Sequence, residues 1–279
     1  MLLVVLHACG IVVGVIPVLI VGYVCAESAG LVSTGGLMRF FTDTQWLPRA
    51  GQFNIVPLLV TSLIVTLGAM SIASLVGICL GVFIVFYAPV SVGRAYTGML
   101  GLLAGIPSVV YGLWGLTVLI PHLNRLAPPG FSVLMGVVIL AIMILPTVTL
   151  LTATSLRTIP RDYVLGAYAL GLTQTGVLWR VVLPAARRGI IVGALLALMR
   201  ALGETMALSM VMGNTLQIPQ GLLTPARTLT AHIALEMGYA MGDHRAALFV
   251  TGGLLLTVVG VLILVVQGLE NRKEPEQCS

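Results

Sequence analysis

Six stretches of this chain, at about 2–25, 55–86, 97–120, 132–154, 189–213 and 247–267, are long, apolar and nearly free of charge. A hydrocarbon core about 30 Å thick is crossed by roughly 20 helical residues, and each stretch is of that order. In lipid every backbone N–H and C=O must be paired within the protein, which leaves helices or closed barrels. The runs are too long for barrel strands, so the expected fold is all-α and polytopic, with six transmembrane helices. Composition agrees. Charged residues make up 8% of the chain and hydrophobic ones 58%, whereas a soluble domain is about 25% charged. The second run is long enough to tilt or to include an interfacial turn. The first ends in small residues, "YVCAES", but it lacks a basic start and is too long for a signal core. It reads as a retained span.

Arginine placement sets the expected orientation. With the N-terminus inside, Arg94, Arg157, Arg161, Arg180, Arg187, Arg188, Arg272 and Lys273 fall on the cytoplasmic side. Arg39, Arg49, Arg125, Arg227 and Arg245 fall outside. Segment 155–188 carries five arginines and one acid, Asp162, the density expected of an inside loop. The C-terminus is then cytoplasmic too. The net charge of +5 is accounted for by such loops, and no nucleic-acid partner is inferred. The outer segments 26–54 and 214–246 are long for connectors and read as contact surface. Cys9, Cys25, Cys79 and Cys278 show no paired or metal-like spacing. Gly10/Gly14, Gly77/Gly81 and Gly101/Gly105 are spaced for close helix approach.

Catalytic patterns are missing. There is no glycine-rich phosphate loop ending in Lys-Ser/Thr, and the only lysine is Lys273. His7, His122, His232 and His244 are scattered. His232 and Glu236 are four apart, but in a predicted outer loop, and two residues make a weak metal signal. The chain reads as no enzyme and as binding no cofactor, so energised work would draw on a gradient or on a partner subunit.

Segment 155–188 is patterned beyond an ordinary loop. After Pro160, residues Tyr163, Val164, Ala167, Leu170 and Leu172 recur at mainly helical spacing, and Gly171 suits a helix C-terminus. A second turn opens near Thr173 or Thr175 and carries Val177, Trp179 and Val182, with Leu183-Pro184 expected to break it. Two short amphipathic helices beside a membrane can lie on headgroups or dock into another protein's groove. Pattern alone leaves both open.

"GAYALGLTQTGVLWRVVLP" (166–184) resembles the cytoplasmic loop signature of ABC importer permeases. Gly166-Ala167-Tyr168 stands at that signature's EAA triplet, Gly171 at its glycine, and Leu183-Pro184 at its end. Gly166 replaces the triplet's glutamate and Tyr168 its second alanine, which puts one ion pair with the ATPase in question. "PLLVTSLIVTLGAMSIASLVGICLGVFIVFYAP" (57–89), "LAGIPSVVYGLWGL" (103–116) and "RALGETMALSMVMGN" (200–214) are similar to the PstC-type permeases of phosphate-specific ABC importers. The resemblance covers most of 55–265 and is weaker over 1–54. It implies the MetI-like permease fold, with coupling helices docking an ATP-hydrolysing subunit. It also implies a PstA-type permease partner, two PstB-type ATPases holding ATP and magnesium, and a PstS-type periplasmic binding protein. The chain then divides into the first helix and outer loop at 1–54, the permease domain at 55–267 with coupling loop 155–188, and a tail at 268–279. The cytoplasmic (inner) membrane of a bacterium is the implied location.

Arg200 and Glu204 are the only charged residues between Gly189 and Ala226. Arg200 lies 12 residues beyond Arg188, roughly 18 Å along a helix and near the middle of the bilayer. Glu204 is expected one turn further, on the same face. Midplane charges are costly and usually face a bundle interior or a wet cavity. One reading is a mutual ion pair that fixes helix packing. The other is a transient anion site: Arg200 contacts the anion, and Glu204 serves as its resting counter-ion and accepts the proton that phosphate carries. In the resembled family an intramembrane Arg and Glu are regarded as transport residues.

Ser108, Thr205 and Ser209 are further candidate donors, the last two competing with bonds to their own helix. Pro107 and Ser108 admit an opened backbone beside the pathway, with a plain proline kink the simpler expectation. Met199, Met206, Met210 and Met212 are read as helix packing. The rival readings are a permease for another oxyanion, such as molybdate or phosphonate, a gradient-driven transporter or channel, and a phosphate-sensing subunit.

Overall fold

The computed structural model describes residues 2–271; Arg272, Lys273 and Cys278 of the expected tail lie outside the described residues. Among those described, five helices are long and apolar enough to cross a membrane, and a bent helix pair makes the sixth span.

The first span, α1 (Leu2–Gly35), runs ten residues past its expected end at 25 and packs along the last, α13 (Asp243–Asn271). Tyr23 meets Phe249 edge-on at 5.5 Å. Arg245 donates to the Tyr23 hydroxyl at 2.9 Å and pairs with Glu27 at 3.3 Å. A short helix α2 (Arg39–Thr42) and a hairpin of β1 (Trp46–Leu47) and β2 (Gln52–Phe53) follow, with Trp46 opposite Phe53. Phe40, Trp46, Phe53 and Ile55 are buried with Ala247 and Leu248. Leu31, Phe40, Trp46 and Phe53 of the expected outer contact surface at 26–54 are thus buried beside α13, while most of that segment stays exposed or half-exposed.

Next come α3 (Val56–Val82), closed by a π turn at Phe83–Tyr87, and the central helix α7 (Val133–Arg157). Fifteen of the 25 residues of α7 are buried, because the second, third and fifth spans pack around it. Ser132 caps it, its hydroxyl accepting the Met135 N–H at 3.3 Å. The loop at Leu222 and Thr224 takes the N–H groups of Leu134 and Val133 at 2.7 and 3.0 Å, satisfying donors that a helix start leaves orphaned. Gly77 and Gly81 bring α3 against α7: a Cβ on Gly81 would sit 2.8 Å from Thr152. Gly10, Gly14, Gly101 and Gly105 have nothing within 4 Å, so one of the three expected glycine pairs serves close packing within this chain.

Span three is not the continuous helix expected at 97–120. It comprises α4 (Val90–Gly105) and α5 (Ser108–Trp114), continued through a π turn (Gly115–Leu119) into α6 (Ile120–Leu126). The two halves are bent by 90°. Ile106 is extended (φ −68°, ψ 129°), as a residue preceding proline prefers. Tyr111 ties the break, donating to the Leu103 carbonyl at 2.8 Å. Pro107 therefore opens the backbone rather than kinking a helix.

The amphipathic helices form as expected: α8 (Arg161–Ala169) and α9 (Gln174–Val177). The expected break at Leu183-Pro184 does not occur. A π turn at Leu178–Val182 leads straight into α10 (Leu183–Leu202), and the Leu183 N–H bonds back to Leu178. The π turn thus carries a continuous helix past Pro184, which has no N–H to donate. The chain breaks instead at Gly203–Thr205, before α11 (Met206–Val211). Segment 214–246 contains α12 (Leu229–Glu236), which packs on α3 and α13.

Candidate translocation site

Helix α10 runs antiparallel to α7. Gly189 lies against Ser155, Gly193 against Leu151, and the Arg200 guanidinium reaches the Thr147 hydroxyl at 3.5 Å. Thr147 is the fifteenth residue of the 25 in α7, so Arg200, two residues before the end of α10, lies opposite the middle part of α7. Arg200 is exposed on this chain.

Glu204 is not one helical turn beyond Arg200 on a shared face. It lies in the break, and its carboxylate turns the other way, accepting the N–H groups of Thr205 at 3.1 Å and Ala207 at 3.3 Å. Its carbonyl accepts the Thr230 hydroxyl at 2.7 Å. Among the described residues no ion pair joins Arg200 to Glu204. The carboxylate caps α11, where negative charge and an acceptor oxygen both suit the exposed N–H groups. Thr205 is half-buried and its hydroxyl donates to the Gly203 carbonyl at 3.1 Å. Ser209 bonds the Met206 carbonyl at 2.8 Å.

The two broken spans cross beside this point. A Cβ on Gly112 would fall 2.9 Å from both the Cα of Ala207 and the sulfur of Met210. Ser108, half-buried, opens α5 one turn before Gly112. It makes no hydrogen bond to Arg200 or Glu204 among the described residues. The other methionine with a clear packing role is Met212, buried with its sulfur against Gly136.

At the opposite end, Ala167 is buried in a small core with Leu156, Val177, Leu178, Val182 and Ala186. Gly171 (φ +77°) closes α8: its N–H bonds Tyr168 at 2.9 Å, and that of Leu172 bonds Ala167 at 3.2 Å. This double bond pattern is the usual glycine helix end. Gln174 donates to the Phe86 carbonyl at 2.7 Å, fixing the segment to the end of span two. The outward face carries Tyr163, Leu165, Tyr168, Leu170 and Trp179, all exposed. Gly166 is exposed with open space around it. Leu183 and Pro184 border a groove with Trp179, Arg187 and Ile190.

A buried cluster that residue spacing only hinted at lies in segment 214–246. Glu236 binds Arg227 (2.9 Å), His244 (2.9 Å) and the Trp46 indole N–H (2.9 Å). His232 Nδ1 lies 3.2 Å from Arg227. Arginine only donates, so this nitrogen accepts and the ring is neutral. Burial foremost, with Arg227 and His244 adding to it against the pull of Glu236, lowers its pKa to about 4. The His232–Glu236 spacing was visible in the sequence, but it organises an ion cluster, and among the described residues no metal-ligand group forms.

Residues 73–274 match the family described as binding-protein-dependent transport system inner membrane component. The chain belongs to this family. It is therefore a multi-pass inner-membrane permease subunit of an ABC importer, and no enzyme. Similar proteins include "Phosphate transport system permease protein PstC" of Mesorhizobium japonicum, 38% identical over 86% of this chain and 80% of that one. The Xylella fastidiosa protein of the same name is 34% identical over 82% of this chain and 77% of its own. The "Probable ABC transporter permease protein YqgH" of Bacillus subtilis is 34% identical over 88% and 81%. Among solved structures, the inward-facing MetNI methionine ABC transporter aligns with a TM-score of 0.61 at 17% identity, over 77% of this permease and 95% of that chain. The expected MetI-like fold is thus the fold of this permease.

Proposed function

We propose that this permease is the PstC-type half of an importer for inorganic phosphate, with Arg200 as the charged contact in the pathway. The observation that carries the reading is a guanidinium at mid-span, exposed on its own chain and without a carboxylate partner among the described residues. Lipid would make such a charge costly, so its face belongs against a water-filled route shared with a second permease. Guanidinium geometry suits phosphate oxygens, and the names of the similar PstC proteins favour phosphate among the oxyanions. Glu204, Thr205 and Ser108 border the two helix breaks and shape the same route.

The partners follow from the same reading. A PstA-type permease closes the pathway, two PstB-type ATPases carry ATP and magnesium, and a PstS-type protein delivers phosphate from outside. The exposed aromatic face of α8 and α9 takes the ATPase cleft, using Tyr168 and Trp179 around the Gly171 turn, with Gly166 lacking the carboxylate of the family's triplet. Both termini are cytoplasmic.

The test is reconstitution of the permease with its co-expressed partners in proteoliposomes. Phosphate-loaded binding protein should stimulate ATP hydrolysis and phosphate uptake together. Stimulation by a molybdate- or phosphonate-loaded counterpart with none by phosphate would refute the substrate.

A further inference from the structure

We infer that Thr147 is a specificity-determining residue of the pathway, its hydroxyl offering the passing anion a neutral donor beside the Arg200 guanidinium. This rests on the pathway reading of Arg200. On α7, Thr149, Thr154 and Ser155 each donate to their own helix carbonyls at 2.9 Å, the common fate of hydroxyls in membrane helices. Thr147 does not. Among the described residues its contact is as acceptor of the Arg200 Nη1–H, at a long 3.5 Å. With an oxygen lone pair turned to the cation, the hydroxyl hydrogen points away from it and is not spent on the helix. It remains for an acceptor that Arg200 itself attracts.

Half-burial of Thr147 at the middle of the central helix keeps this donor at fixed depth. A guanidinium alone reads charge. A guanidinium and a hydroxyl held side by side read an anion with at least two acceptor oxygens, which is the chemistry of a tetrahedral oxyanion and not of a halide. Thr147 has no charge to betray it in the sequence, and the contact spans 53 positions.

The assembled importer in proteoliposomes, supplied with phosphate-loaded binding protein, separates the outcomes. Thr147→Val keeps shape and removes the hydroxyl; Thr147→Ser keeps the hydroxyl. Expected for Val is a phosphate uptake per ATP hydrolysed reduced about tenfold, with half-saturation for the loaded binding protein unchanged, and for Ser a rate within about twofold of wild type. If the Val complex does not assemble, Thr147→Ala against Thr147→Ser gives the same comparison. Uptake by Val equal to wild type, or Ser as impaired as Val, overturns the role of the hydroxyl. Undiminished uptake by Arg200→Leu would instead overturn the pathway reading beneath it.

Discussion

The Glu204 carboxylate accepts the N–H of Ala207 at 3.3 Å, so the acid of span five is committed to the start of α11 and turns its back on Arg200. The consequence is a division of labour. Glu204 holds a helix break open, and Arg200 is left to face the centre of α7.

Glutamine in place of Glu204 retains an acceptor oxygen for both N–H groups, while alanine retains none. Loss of such a cap costs about 1 kcal/mol. Thermal melting of the purified complex should therefore rank wild type and Glu204→Gln close together, with Glu204→Ala lower. A Gln variant as unstable as Ala would show that the charge itself matters, as a counter-ion role requires.

Gly112 permits the crossing of the two broken spans, since a Cβ there would meet the Ala207 backbone at 2.9 Å. Backbone cannot swing aside as a flexible side chain can. Gly112→Ala should destabilise the permease by on the order of 1–3 kcal/mol and lower uptake through misplaced breaks. Normal melting with normal uptake would contradict the close crossing.

The Glu236 ion cluster should make the permease acid-sensitive. His232 titrates at about 4 in the folded chain, below the usual value near 6.5. As pH falls, the unfolded ring takes its proton first. Stability from the neutral ring is thus complete above about 6.5 and is lost between there and about 4, roughly 3 kcal/mol in all. Glu236, Arg227, His244 and Trp46 surround the ring, so protonation places a second cation beside Arg227. The melting temperature of the wild-type complex should drop over this range more steeply than that of His232→Gln. Equal slopes would remove His232 as the cause.

Trp179 is 67% exposed on this chain, so its truncation removes little internal packing. Large aromatics at the centre of an interface often carry 2 kcal/mol or more. Trp179→Ala should leave membrane level and melting intact while binding-protein-stimulated ATP hydrolysis falls by at least about tenfold. Unchanged stimulation would place the ATPase contact elsewhere.

Much of this was legible in the sequence because the relevant signals are local. Apolar run lengths marked the spans, and the spacing of Ala167, Leu170 and Gly171 marked α8. The misread features depend on distant partners. Pro107 and Pro184 look alike in sequence, yet one opens a span and the other is absorbed. The difference lies in neighbouring turns: Tyr111 ties the gap at Pro107, and a π turn carries the helix across Pro184. The direction of Glu204 is set by the α11 N–H groups, and its backbone is held by Thr230, 26 positions away. The Glu236 cluster draws one of its partners, Trp46, from 190 positions away.

The most direct measurement is phosphate uptake by the reconstituted complex carrying Arg200→Leu, with assembly and ATP hydrolysis followed in the same vesicles. A hydrogen bond to a charged group contributes about 1.5–3 kcal/mol, so uptake should fall by at least about tenfold while the complex still assembles. A fully assembled Arg200→Leu complex that imports phosphate at the wild-type rate would contradict the assignment of Arg200 to the pathway.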